Sequence, residues 1–172
     1  MKNKAIILLY LMLLTMFGAC TTNSQKQFTA PLQSQSDEYV NLQMRYIPRA
    51  ELEDRAGRGY LSPFIVPPNT LDSREFVVLE FVIKNKSSDA MVINLTDVEL
   101  QTRTGNYYPK NAFQLKQFWE KFDVMSSKRA RMYRQIDTYL LDSKIRIPSN
   151  GLKRGYFVIY APLSKYGEFT VK

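Results

Sequence analysis

From position 40 hydrophobic and polar residues alternate, with Val40, Leu42, Met44 and Tyr46 interleaved with Asn41, Gln43 and Arg45. A period of two puts the apolar set on one face of an extended chain, which predicts a half-buried strand ended by Pro48. Residues 76–84 carry the strongest strand pattern, with Val77, Leu79, Phe81 and Ile83 on one face and Phe76, Val78 and Val82 on the other. Two apolar faces, broken at Glu80, predict a central strand. After the polar turn Asn85-Lys86-Ser87-Ser88-Asp89, residues 91–95 are expected to return as its partner strand. Residues 97–101 continue extended, and Gly105-Asn106 signals a hairpin with Tyr107-Tyr108-Pro109 as its return.

The period then changes. Leu115, Phe118, Trp119, Phe122 and Met125 fall at helical spacing, as do Met132, Ile136, Tyr139 and Leu140, which predicts two helices over about 112–122 and 127–141. Extended pattern resumes at 144–147, turns through Pro148-Ser149-Asn150-Gly151, runs over 155–161, and closes with a last strand at 169–172. Between 49 and 73 the residues Gly57, Gly59, Pro63, Pro67 and Pro68 mark a loop, with a short helical turn at 50–55 and with Phe64 or Val66 tucked against the sheet. The expectation is a mostly β fold: an immunoglobulin-like antiparallel β-sandwich of about seven strands with a two-helix insertion near 112–141.

Three stretches carry a family resemblance: Phe76-Val-Val-Leu-Glu-Phe-Val-Ile-Lys-Asn85, Val98-Glu-Leu-Gln-Thr-Arg-Thr-Gly-Asn-Tyr107, and Ile147-Pro-Ser-Asn-Gly-Leu-Lys-Arg-Gly-Tyr-Phe-Val-Ile-Tyr160. Together they resemble bacterial immunoglobulin-like lipoproteins of uncharacterised function. Those proteins share a long strand ending in Asn, a Leu-to-Gly-to-Tyr hairpin, and a Pro-Gly turn leading into Gly-x-apolar-x-aromatic. The chain departs where Ser149 and Asn150 split the Pro-Gly pair and in its larger helical insert. The resemblance brings no catalytic residues and implies a tethered binding or scaffold domain.

The amino terminus points the same way. Lys2 and Lys4 precede an apolar run over 5–17 and then Gly18-Ala19-Cys20. The run fits the ~7–15 residues of a signal-peptide core and falls short of the ~20 that span a bilayer. Phe17-Gly18-Ala19-Cys20 resembles the bacterial lipobox, with Phe17 where Leu is usual. Residues 1–19 are thus expected to be a removable lipoprotein signal peptide, Cys20 the lipid attachment site, 20–38 a flexible tether and 39–172 the folded domain. The alternative is an ordinary secretory leader with Cys20 incidental. Cys20 is the only cysteine, so it has no internal disulfide partner. Acylation gives it a use, since each buried methylene contributes ~0.8 kcal/mol and two or three chains hold a protein stably to a membrane. Thr21, not Asp, follows Cys20, which in an enterobacterium-like sorting system points to the outer membrane.

The chain carries +8 at pH 7 and stays basic after Lys2 and Lys4 leave with the leader. A basic balance favours anionic headgroups or envelope glycans, with nucleic acid excluded by compartment; solubility alone explains the same charge. There is no histidine. That removes Ser-His-Asp and Cys-His nucleophiles, His-based zinc sites and the usual neutral-pH proton shuttle. The acidic residues Asp97 and Glu99, or Glu51, Glu53 and Asp54, do not match a calcium loop, so neither metal nor cofactor is expected.

Two surface candidates remain. Lys128, Arg129, Arg131 and Arg134 form the densest basic run, a ridge for anionic surfaces or else a solvated helix face. Tyr107, Tyr108 and Trp119, with Phe118 and Tyr133, make either an aromatic contact patch or core packing. The function expected is a non-enzymatic, membrane-anchored envelope lipoprotein that binds a protein or anionic glycan; the alternative is a structural accessory subunit of an envelope assembly.

Overall fold

The computed structural model describes residues 33–68, 74–102, 105–162 and 170–171. The expected leader, Cys20 and the tether up to residue 32 lie outside them. In chain order the elements are β1 (Gln33–Ser36), β2 (Val40–Tyr46), α1 (Arg49–Ala56), β3 (Arg74–Asn85), β4 (Met91–Asn94), a 3-10 turn (Leu95–Asp97), β5 (Leu100–Thr102) and β6 (Gly105–Tyr107). There follow α2 (Ala112–Glu120), α3 (Ser126–Tyr139), β7 (Lys144–Ile147), β8 (Leu152–Pro162) and β9 (Thr170–Val171). The fold is β-rich and antiparallel, with three helices among the described residues.

β3 is central, as its two apolar faces predict. It pairs with β2 on one side and β8 on the other, and β1 adds an edge beyond β2. Alternation then sorts the side chains. Val77, Leu79, Phe81 and Ile83 of β3 join Phe157, Ile159 and Ala161 of β8 on one face, where they meet Leu95, Val98, Leu100, Ile145 and Ile147 from the small β4–β7 and β6–β5–β9 sheets. On the opposite face Phe76, Val78, Tyr156 and Val158 meet Leu52 of α1, Leu115 and Trp119 of α2, and Met132 and Ile136 of α3. The molecule therefore has three layers, small sheets, central sheet and helices. Tucked into the helix side are Phe64 and Val66, both buried as expected.

Four sequence expectations are corrected. β4 does not return beside β3; it pairs with β7 in the other layer. The turn after Asn85 is thus a layer crossing, and so is Pro148–Gly151, which takes the chain from β7 back to β8. Residues 33–36, expected to lie in the tether, form β1. Nine strands are described where about seven were expected, and β1 is the one that no expected strand covers. Residues 95–97, read as part of an extended run, close instead into a 3-10 turn capped by Asp97 and Asn94.

One buried side chain staples both crossings. Asn85, 1% exposed, donates through Nδ2 to the carbonyls of Asp89 (2.7 Å), Ile147 (3.2 Å) and Pro148 (3.1 Å), while its Oδ1 accepts from Ser87 N and Oγ. These partners lie in the two turns or, for Ile147, at the last residue of β7, so the side chain supplies hydrogen bonds that the crossings cannot make by backbone pairing.

Local chemistry sets the helices. Asn111 Oδ1 accepts from Gln114 N at 2.9 Å and Gln114 Oε1 accepts from Asn111 N at 3.1 Å, a reciprocal cap that starts α2. Trp119 Nε1 donates to the Pro63 carbonyl at 2.9 Å and fastens α2 to the 57–68 loop. The chain leaving α3 crosses β8 so closely that a Cβ on Gly155 would stand 2.7 Å from Leu141 Cδ2 and 2.9 Å from the Tyr139 carbonyl. Leu141 N then donates to Tyr156 O, and Lys110 N to Val158 O, covering the outer edge of β8.

Candidate functional site

The chemistry concentrates where α1, α3 and the helix-facing side of β8 converge. Register places Glu80 of β3 opposite Arg45 of β2 and Tyr156 of β8. Its carboxylate, 5% exposed, accepts from Arg45 Nε at 2.6 Å and from Arg154 Nε and Nη2 at 3.0 and 2.7 Å, with Arg55 Nη1 at 3.7 Å. Glu51, one turn before Arg55 on α1, takes both the Arg55 and the Arg45 guanidinium. Three guanidiniums thus face two carboxylates, leaving one unit of positive charge over the cluster.

This arrangement fixes charge states. Burial pushes the Glu80 carboxyl up, but the hydrogen bonds from Arg154 and Arg45 outweigh it and hold the group below its ordinary value. The Arg45 hydrogen bond, helped by Arg55, likewise lowers Glu51 against a smaller effect of burial. Tyr156, whose hydroxyl accepts from Arg55 Nη1, is pushed up by burial despite that cation and remains a neutral phenol.

Beside the cluster opens a cleft of about 300 Å³. Leu52, Ala56 and Phe64 supply its apolar part; Arg55, Ser62, Gln135, Tyr139 and Tyr156 supply the rest. Tyr139 and Tyr156 stack with centroids 5.4 Å apart and planes at 13°, and Phe64 meets the Tyr156 ring edge-on at 78°. Gln135 Oε1 is buried and has no hydrogen-bond partner. A site with an aromatic wall, a guanidinium and an unsatisfied amide oxygen can hold a small ligand that has an apolar face, an anionic oxygen and a hydroxyl donor.

The sequence candidates map onto this region unevenly. Lys128 and Arg134 are exposed on α3. Arg131 lies half-buried, its guanidinium 3.6 Å over the Tyr60 ring and its Nη2 donating to the Ala56 carbonyl, so it clamps α3 to the end of α1. Arg129 Nη2 donates to the Phe122 carbonyl. The basic run is therefore two exposed cations and two local clamps instead of one continuous ridge.

The aromatic candidates are separated. Trp119 is 1% exposed inside the helix layer. Tyr107 packs half-buried on the opposite side of the central sheet, and exposed Tyr108 donates to Glu99 Oε2 at 3.1 Å. They form no common patch, because Trp119 is needed to fill the space between α2 and β3. Cys20 lies outside the described residues.

Arg45, Glu51, Arg55, Glu80, Gln135, Tyr139 and Tyr156 were not singled out as site residues from the sequence. A signal existed for one: a lone carboxylate on a strand apolar on both faces must find cationic partners. No family model and no curated protein matches the chain. Among solved structures, the 2.2 Å crystal structure of a conserved hypothetical protein from Bacillus anthracis is similar over 88% of this chain and 93% of its own, with a TM-score of 0.41 and 11% identity, a likeness too distant to carry an argument.

Proposed function

We propose that the protein is a non-enzymatic binding domain held at the bacterial envelope by acyl groups on Cys20, and that it binds an anionic glycan by seating one acidic sugar unit in the α1–α3–β8 cleft. The observation that carries this reading is Gln135, which lines the cleft together with Arg55 and whose Oε1 is buried with no hydrogen-bond partner. An orphaned buried acceptor costs about 1–3 kcal/mol, which a ligand hydroxyl would relieve. The surplus guanidinium favours a carboxylate, and the stacked tyrosines offer a flat wall to the C–H face of a sugar ring.

The non-enzymatic part is supported by the locked charges. Arginines and carboxylates clamp one another, Tyr156 stays protonated, and no histidine exists to move a proton near neutrality. The envelope part, including outer-membrane sorting, is supported by the leader pattern and the solitary cysteine. The two strand layers facing each other across Val77, Leu79, Phe81 and Ile83 support an immunoglobulin-like sandwich whose outer face has gained helices.

Calorimetric titration with a uronate disaccharide tests the ligand. It should bind one-to-one, weaken as salt is raised, and weaken about tenfold in Gln135→Leu. Equal binding of a neutral disaccharide, or no binding of either, would overturn the reading. Mass spectrometry of the native amino terminus should find an acylated Cys20; an unmodified, freely soluble form would remove the envelope assignment. A second reading, the structural accessory subunit, is favoured by β1, which among the described strands pairs only with β2. A single stoichiometric partner crosslinked through residues 33–36 in intact cells would favour it.

A further inference from the structure

On the other side of the central sheet, independent of the cleft, a cavity of about 670 Å³ lies between that sheet and the layer formed by β4 and the 3-10 turn. Its walls are Leu42, Met44, Phe81, Ile93, Val98 and Phe157, and Ser34, Gln35 and Asp97 also line it. We propose that this cavity takes the single acyl chain of an uncharged lipid, with the head group beside Ser34 and Gln35.

Three observations select that ligand. The volume falls within the ~300–1,000 Å³ typical of small-molecule sites, and the walls are hydrocarbon apart from Ser34, Gln35 and Asp97. A peptide segment would bring N–H and C=O groups that need partners, yet the floor is the face of β2 and β3, whose backbone groups are already paired to strands on both sides. A hydrocarbon chain brings no such groups. Charge then decides the head group. Asp97 is the one charged residue in the lining, so a free fatty acid would bring its carboxylate into a cavity whose own charge has the same sign, whereas a glyceride would not. Leu42 and Met44 are only half-buried in the protein as it stands, and Met44 has the pliant side chain that adapts to chains of differing shape.

The test uses the mature chain, residues 20–172, carrying Cys20→Ser so that no acyl group of its own is attached. Calorimetric titration with monolauroylglycerol below its micellar concentration should give saturable one-to-one binding, at least tenfold tighter than laurate. Met44→Trp, which fills the cavity, should abolish it while Gln135→Leu leaves it unchanged. Should Met44→Trp fail to fold, Asp97→Asn keeps the proposal exposed: laurate affinity should rise severalfold with glyceride affinity unaltered, and Asn retains an oxygen for the Asn94 cap. No saturable glyceride binding, binding indifferent to Met44→Trp in a folded variant, or laurate affinity indifferent to Asp97→Asn would overturn it.

Discussion

The two faces of the central sheet are built on different physics although they share the same strands. On one face Val77, Leu79, Phe81 and Ile83 pack into a hydrocarbon cluster, with Phe81 and Phe157 meeting at ring centroids 4.5 Å apart, and polar pairing enters only at its end, at Asn85. The Phe76–Val78 face begins in the same way but runs into Glu80, two residues on, with its three arginines. Burial without directional partners should hold its strength across pH, since apolar area carries no charge. The ion cluster should not. Exclusion of water thus organises one face, and electrostatic pairing beside an open cleft organises part of the other.

The difference can be broken at four points. Phe157→Ala empties the hydrocarbon face and should lower the unfolding free energy by about 3–5 kcal/mol, with the same loss at pH 4 and pH 7 in denaturant titrations. Asn85→Ala takes the side-chain partner from three backbone carbonyls and from the Ser87 N–H and should cost about 3 kcal/mol. Much of that loss would fall on the small-sheet layer, seen as early hydrogen exchange in β4 and β7.

Glu80→Gln removes the charge at the centre of the cluster and should cost about 2 kcal/mol at pH 7. Its pH dependence is the sharper readout. The folded carboxyl titrates below 4.5, its ordinary value, so between the two values the unfolded chain binds more protons than the folded one. The stabilisation is therefore complete above 4.5 and lost as pH falls through the folded value. The native protein should weaken on acidification there, and the penalty of Glu80→Gln should shrink towards zero. A penalty constant with pH would mean that Glu80 acts by packing alone. Asn111→Ala, which removes the α2 cap, should cost about 1 kcal/mol and loosen the helix side only, measurable as a small fall in midpoint with exchange quickened at the start of α2.

Much of the architecture was legible because it is periodic. The alternation at 40–46 and 144–147 marks β2 and β7 with their observed bounds, and the helical spacing of Leu115 with Trp119 and of Met132 with Ile136 picks out the buried positions of α2 and α3. β1 escaped notice because Gln33-Ser34-Gln35-Ser36 has no apolar period; it is held by its ladder to β2. The partner of β4 was misread for another reason: a polar turn after a strand looks alike whether the chain doubles back or crosses to another layer, and only Asn85 burial separates them. The candidate site was the least legible part. Glu80 finds Arg45 at a separation of 35 residues and Arg154 at 74, so no local window holds the pair, while the locally dense run at 128–134 drew attention to cations half of which serve as clamps.

The Gln135 side-chain amide offers the most direct test of the central claim that the helix-side cleft is where ligand binds. In nitrogen-resolved spectra of the mature chain titrated with a uronate disaccharide, its resonances and those of the Arg55 guanidinium should shift saturably, with smaller changes at Tyr139 and Tyr156. Shifts confined to Lys128 and Arg134, or no shift at saturating disaccharide, would contradict the account.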